Sequence, residues 1–355
     1  MTARLRTLSL ATLLLVAVAG CGSDDDDPAP TGEGSAAAGG GGSDDLQALV
    51  EAAQEEGELL VYSSTPDVTG QPIYAAFTEA YGITVNAIPR IVDSELIARF
   101  QSEIDSGGSP ADIISVASPQ FYAQQLQAGT VSSIEDLDLP ARAGYPDAFV
   151  GDAYVDVGTS AIGACYNTDA VSESDLTSYE DLLNPDFQLQ FVDPRGFTPN
   201  MGVMLLMRDA LGDDFLEDFG ARDKTLSQSA VPAVQLVIAG EADVVFPCYE
   251  SFSRPQAAQG APIDFAVLGP TTGGSTYFGV LATAEHTAAS RLFLNWMMTE
   301  EGQADITQVG LASPLGRDFP PGSLSLPEDF TSLDAEFAQR IAQEQDEVVD
   351  LLGLG

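Results

Sequence analysis

From Leu46 to the C-terminus, apolar runs of strand length alternate with amphipathic stretches of helix length, which restricts the body of the chain to an α/β fold. Leu46–Glu56 reads as a helix closed by Gly57. Leu59–Tyr62 is a strand that enters the polar loop Ser63-Ser64-Thr65-Pro66. Pro72–Tyr81 follows as a helix with Ile73, Phe77 and Tyr81 on one face. Strand Ile83–Ile88 comes next, then a helix capped by Asp93 or Ser94, strand Asp112–Ile114, and a helix opened by Ser118-Pro119. A second series begins at the buried strand Ala161–Tyr166. Its strands are Leu189–Val192, Val244–Phe246 and Ile263–Leu268, interleaved with helices Pro199–Leu211, Asp214–Ala221, Val231–Ala239 and Ser251–Gln259. A return strand Tyr277–Ala282, a Trp296-bearing helix Ala288–Met298 and a last helix Asp334–Leu352 complete the chain. This order predicts open, mostly parallel sheets, which bind ligands in the crevice beyond the carboxyl ends of their strands.

The N-terminal residues predict export. Arg4 and Arg6 precede a run, Leu8–Ala19, that is too short for a membrane span and has the form of a secretory signal. Val18-Ala19-Gly20-Cys21 resembles a lipobox, which implies cleavage before Cys21, lipidation of its thiol, and anchoring outside the cytoplasmic membrane. Residues 22–45, with Asp24–Asp27 and Gly39–Gly42, read as a disordered acidic and Gly-rich tether that cannot bury enough apolar surface to fold.

The chain carries 13 basic and 54 acidic residues. Loss of residues 1–21 leaves 11 basic residues and a net charge of −43. Such a charge repels nucleic acid and anionic lipid, and its spread along the whole chain reads as adaptation to high salt. Beyond Cys21 only Cys165, Cys248 and His286 remain of the thiol and imidazole groups, so no zinc-type spacing exists. The two cysteines either pair in an oxidising compartment or stay as buried thiols. A Gly-x-Ser-x-Gly elbow, a P-loop and a Gly-x-Gly-x-x-Gly turn after a strand are all absent, and His286 is the sole imidazole base. The expectation is a binding protein without a cofactor, not an enzyme.

Several segments then carry a resemblance. They are Glu56–Ser64, Ala164-Cys165-Tyr166-Asn167-Thr168-Asp169, Asp193-Pro194-Arg195-Gly196, Gly240–Val244, Gly260-Ala261-Pro262, and Phe293–Trp296 with Glu301-Gly302-Gln303. In this order they resemble the iron-type cluster of periplasmic binding proteins of ATP-driven (ABC) importers, over roughly residues 46–320. The resemblance implies a type II two-lobed fold joined by crossing strands, with residues 46–158 plus 269–355 as lobe 1 and 159–268 as lobe 2. It also implies a monomer that hands a small solute to a membrane permease. A non-transport surface lipoprotein is the alternative.

Loops at strand ends give the ligand-binding candidates Ser63, Ser64, Thr65, Ser115, Ser118, Arg195, Thr198 and Tyr249, several of them at helix starts that suit an anionic group. The resemblance adds Glu95, matching the family's carboxylate, and Tyr166. Ferric members commonly carry two adjacent tyrosines where this chain reads Pro247-Cys248-Tyr249-Glu250, and a histidine where it reads Thr65-Pro66. These departures favour a small anionic organic solute gripped by Arg195. A ferric ion held by Tyr249, Glu95 and Tyr166 is the alternative.

Overall fold

The computed structural model describes residues 41–108, 111–316 and 326–355. The signal segment, Cys21 and the tether up to Gly40 lie outside the described residues. Helix α1 (Gly41–Glu56) starts ahead of the expected Leu46, so its first turn takes up residues assigned to the tether. It is followed by β1 (Glu58–Ser63), α2 (Asp67–Tyr81), β2 (Thr84–Ala87), α3 (Asp93–Asp105), β3 (Ile113–Ser115) and α4 (Pro119–Ala128). Strand β1 pairs in parallel with both β2 and β3. Helix α2 begins at Asp67 rather than Pro72 and carries that proline inside its second turn. Asp93 is not a cap. It lies within the first turn of α3, and its Oδ1 accepts from the Ala117 backbone N–H at 3.3 Å.

Strand β4 (Val155–Asn167) is buried along its whole length and joins the two halves of the molecule. The later elements are β5 (Leu189–Val192), α5 (Thr198–Leu211), α6 (Asp213–Ala221), β6 (Thr225–Ser227), α7 (Ala230–Ile238), β7 (Val244–Tyr249), α8 (Glu250–Ala258) and β8 (Ile263–Ala266). Then come β9 (Gly273–Val280), α9 (Thr287–Met297), α10 (Glu300–Gln308) and α11 (Ala335–Leu351). The first part of β4, Val155–Ala161, pairs antiparallel with β9, which itself pairs with β3. Its second part pairs with β7 and β8. Strand β5 lies parallel to β6 and β7, giving the order β2-β1-β3-β9-β4-β7-β5-β6 with β8 on β4. Thus β4 and β9 cross between two α/β halves, each built on three parallel strands.

Each half has its own apolar core. In the first, Phe77 from α2 meets Phe293 and Trp296 from α9 at centroid separations of 5.0 and 5.6 Å. Rings in this arrangement contribute about 0.5–1.5 kcal/mol per pair beyond their buried area. In the second, Phe191, Phe219 and Phe246 pack between β5, β7 and α6. Helix α11, expected with the first lobe, packs instead on α5 and α6, where Phe337, Ile341 and Val348 enter the second core. Its amphipathic stripe matches the apolar face that Met201, Leu205 and their neighbours leave on α5. Arg340 pins this seam with two bonds to Asp209, at 2.6 and 2.7 Å. Cys165 on β4 and Cys248 on β7 are buried and joined as a disulfide.

Candidate functional site

The carboxyl ends of β1 and β3 gather a set of hydroxyls in the first half. Ser63 is buried, and its Oγ accepts from the Thr65 N–H at 3.0 Å. The Ser64 N–H and hydroxyl both donate to the Ser115 carbonyl, at 2.9 and 3.2 Å. The hydroxyls of Thr65 and Ser115 lie 3.2 Å apart. Four of the expected residues are therefore brought together. Ser118 caps α4 by accepting from the Phe121 N–H at 3.3 Å. Glu95 is exposed in the first turn of α3.

Arg90, which the sequence reading missed, reaches the same place from the loop after β2 and donates from Nε to the Ser64 carbonyl at 3.0 Å. Arg99, Arg142, Arg195, Arg208, Arg254, Arg291 and Arg340 each have a carboxylate within 4.0 Å. Among the described residues Arg90 and Arg222 have none, and Arg222 lies away from these loops with its guanidinium on the carbonyls of Asp223, Asn184 and Phe187. The rule that placed the serines, loops at the carboxyl ends of parallel strands, also covers Ile88-Pro89-Arg90 and would have found it.

The second half presents α7, α8 and the N-terminal end of α5. Tyr249 is half-buried at the end of β7 and donates its phenol to Asn200 Oδ1 at 3.0 Å. Burial raises the Tyr249 pKa above its ordinary value, which disfavours the phenolate. Glu250, beside it, is pushed up to about 7 by burial, which outweighs the opposing Arg254 pair at 3.1 Å. Thr198 is exposed at the start of α5.

Two expected residues sit elsewhere. Tyr166 lies on β4 opposite Val244 and Asp264, whereas Tyr249 lies opposite Ile162. The rise of ~3.3 Å per strand residue separates these positions by ~13 Å, and Tyr166 is packed into the second core. Arg195 is closed onto Asp193 through bonds of 2.9 and 2.6 Å, and its Nη1 donates to the Leu354 carbonyl at 2.7 Å. The guanidinium holds the Asp193 carboxyl below the usual range against a smaller opposing effect of burial. Arg195 thus ties the start of α5 to the C-terminal segment and is not a free grip for a ligand.

The halves meet at Ser251. Its carbonyl accepts from Thr69 Oγ1 on α2 at 3.3 Å, and its N–H donates to Ser160 Oγ on β4 at 3.0 Å. Gly310, at φ +82°, lets the chain after α10 pass so close that a Cβ there would stand 2.7 Å from Ser251 Cα. Beside this contact a cavity of about 150 Å³ lies between the halves. Asp67, Val68 and Arg90 line one side, and residues of α7 and α8, including Val234 and Phe252, line the other. Among the described residues no group of three or more His, Cys, Asp or Glu is placed to hold a metal ion, and no helix is long and apolar enough to cross a membrane.

His286 serves the first half structurally. Its Nδ1 lies 2.8 Å from Asp112 Oδ2, whose carboxylate also accepts from the backbone N–H groups of Leu60 and His286. Burial opposes the charged imidazole, but Asp112 and the nearby Glu58 and Glu56 together raise its pKa.

Known proteins share this architecture. The chain is 23% identical over 291 residues to iron uptake protein A1 of Synechocystis, covering 75% of this chain and 78% of that protein. Iron-bound HitA from Pseudomonas aeruginosa superposes with a TM-score of 0.58 at 19% identity, over 83% of this chain and 99% of that one. AfuA from Actinobacillus pleuropneumoniae, with fructose-6-phosphate bound, superposes with the same TM-score at 17% identity, over 84% of this chain and 100% of the other. At these identities the superpositions show the two-lobed periplasmic-binding-protein fold. Residues 59–312 match the family described as bacterial extracellular solute-binding protein, and the chain belongs to that family.

Proposed function

We propose that this solute-binding protein captures a small organic solute bearing an anionic group and delivers it to an ABC permease. The observation that carries the reading is Arg90. In a chain with 54 acids, a half-buried guanidinium with no carboxylate partner among the described residues stands at the cavity between the two halves. A carboxylate or phosphonate is its natural complement, since guanidinium binds such planar or multidentate oxyanions through parallel hydrogen bonds. Ser64, Thr65 and Ser115 stand next to it with hydroxyls able to turn toward a bound oxyanion. Arg90 takes the role that Arg195 was expected to play. Glu95, Ser118 and Thr198 remain rim candidates. The two lobes meet along β4 and β9, near residues 158 and 269, with α11 belonging to the second. Lipidation at Cys21 holds the protein at the outer face of the membrane.

The ferric reading has support from the names of relatives, one called an iron uptake protein and another iron-bound. Against it, Cys248 is consumed in a disulfide, Tyr249 is hydrogen-bonded to Asn200 with its pKa raised, and Tyr166 lies in the second core. Titration of the apoprotein with ferric citrate, followed for a tyrosinate-to-iron absorption band, decides the matter. No band is expected, and native mass spectrometry is expected to find a retained anionic solute that Arg90→Gln loses. A visible band that vanishes in Tyr249→Phe overturns the organic-solute reading.

A further inference from the structure

Resting on that reading, the geometry points to a narrower ligand class: a compact zwitterion, its anionic end on Arg90 and its cationic end on Asp67. Both residues line the 150 Å³ cavity. They carry opposite charge, yet no nitrogen of Arg90 comes within 4.0 Å of the Asp67 carboxylate. Among the described residues Asp67 also makes no ion pair with any other group. Elsewhere among the described residues seven arginines close onto acids, as Arg254 does on Glu250 and Arg340 on Asp209 and Glu344, while Arg222 spends its guanidinium on the backbone carbonyls of Asp223, Asn184 and Phe187. Two opposite charges that share one cavity wall without pairing with each other are complementary to a molecule that brings the opposite pair with it.

The remaining walls set the shape of that molecule. Val68 from α2 and Val231 and Val234 from α7 supply apolar lining, and Phe252 adds an aromatic ring. An ammonium, primary or methylated, is stabilised by a carboxylate and by an aromatic ring close to it. A cavity of this order accommodates a molecule about the size of benzene, so the ligand has the bulk of a small amino acid or a betaine. A simple anion of that size fits less well. It gains Arg90 but is repelled by Asp67, an interaction screened only by whatever dielectric separates them. A simple cation meets the converse penalty. A zwitterion also carries no net charge into a protein whose own net charge is strongly negative, so the overall field neither attracts nor repels it.

Calorimetric titration of the mature protein in molar salt tests the assignment with matched pairs of probes: glycine and acetate, β-alanine and propionate, γ-aminobutyrate and butyrate, with glycine betaine as the methylated case. At least one zwitterion is expected to bind about tenfold or more tighter than its matched anion, a factor that corresponds to about 1.4 kcal/mol. Asp67→Asn is expected to erase that preference without weakening the anion. Arg90→Gln is expected to abolish binding of both, and the melting midpoints of the two variants show that each is folded. Equal binding of zwitterion and anion by the wild type overturns the zwitterion assignment while leaving the anionic-solute reading intact. A preference that survives Asp67→Asn overturns it as well, as does the absence of binding by every zwitterion in the set. A tyrosinate-to-iron band in the ferric titration removes both readings together.

Discussion

Asp156 offers a quantitative test of how the crossing strands are built. Its side chain sits on β4 opposite Tyr277, is only 6% exposed, and accepts from the Gly158 N–H at 3.0 Å. Burial raises its pKa from 3.8 to about 7, against smaller opposing contributions from hydrogen bonds with Ser275 and Gly158. The ionisable side chains whose titration it disturbs are the phenols of Tyr145, Tyr154 and Tyr277, which bring no positive charge to offset it. The folded protein therefore holds a proton that the unfolded chain has already released. The acid is neutral in both states below the unfolded value, so the linkage costs nothing there. Stability then falls as pH rises from about 4 to about 7 and is constant above. The rise from 3.8 to about 7 corresponds to roughly 4 kcal/mol. Asp156→Asn keeps the shape and an acceptor for Gly158, offers an amide donor to Ser275, and cannot ionise. Urea unfolding of both proteins from pH 4 to pH 8, at one high salt concentration, is expected to show the variant gaining on the wild type by up to roughly 4 kcal/mol and then levelling. The difference between the two proteins is the quantity to read, because Glu250 is also raised to about 7 and bends both curves alike. A difference that stays constant within about 1 kcal/mol across this range refutes a neutral Asp156 in the folded state.

Two further predictions concern the surface and the anchor. Lowering salt from molar to about 0.1 M lengthens the screening distance from about 3 to about 10 Å, so the repulsion among a net −43 charge is expected to lower the melting midpoint by several degrees. At about 2.1 cal/mol/K of unfolding entropy per residue, each kcal/mol lost moves the midpoint of a body this large by about 1.5 °C, and an unchanged midpoint in dilute buffer counts against salt adaptation. Cys21→Ser is expected to move the mature body from the membrane fraction to the soluble fraction, and a variant that still floats with membranes refutes lipid anchoring.

Local signals were enough where a segment's environment is decided by its own pattern. Strand β5 runs over the expected Leu189–Val192, and Ser118 caps α4 as its place before Pro119 implies. Strand β4 extends well before the expected Ala161 because burial along its whole length removes the alternation that marks a half-exposed strand, and Asp156 and Gly158 break its apolar run. Helix α10 is not apparent in the sequence because Gly302 and Asp305 make it a weak helix former, although its Thr299 cap accepts from the Gly302 N–H. In α2 the chain turns helical at Asp67, so Pro72 costs one internal hydrogen bond instead of marking the start. The site divides along the same line. The hydroxyls of Ser63, Ser64 and Ser115 follow from strand ends alone. Tyr166 could be placed only through the register of β4 against β7 and β8, which no local pattern encodes. Arg195 and Arg90 differ in what a sequence can say about a cation. The partner of Arg195 stands two residues before it in Asp193-Pro194-Arg195, so its ion pair is legible in the sequence. The freedom of Arg90 is a property of three-dimensional neighbours, since Asp93 lies three residues away and yet bonds Ala117 instead. In a chain this acidic most arginines find a carboxylate by proximity, so the informative cation is one that the fold holds away from its acids.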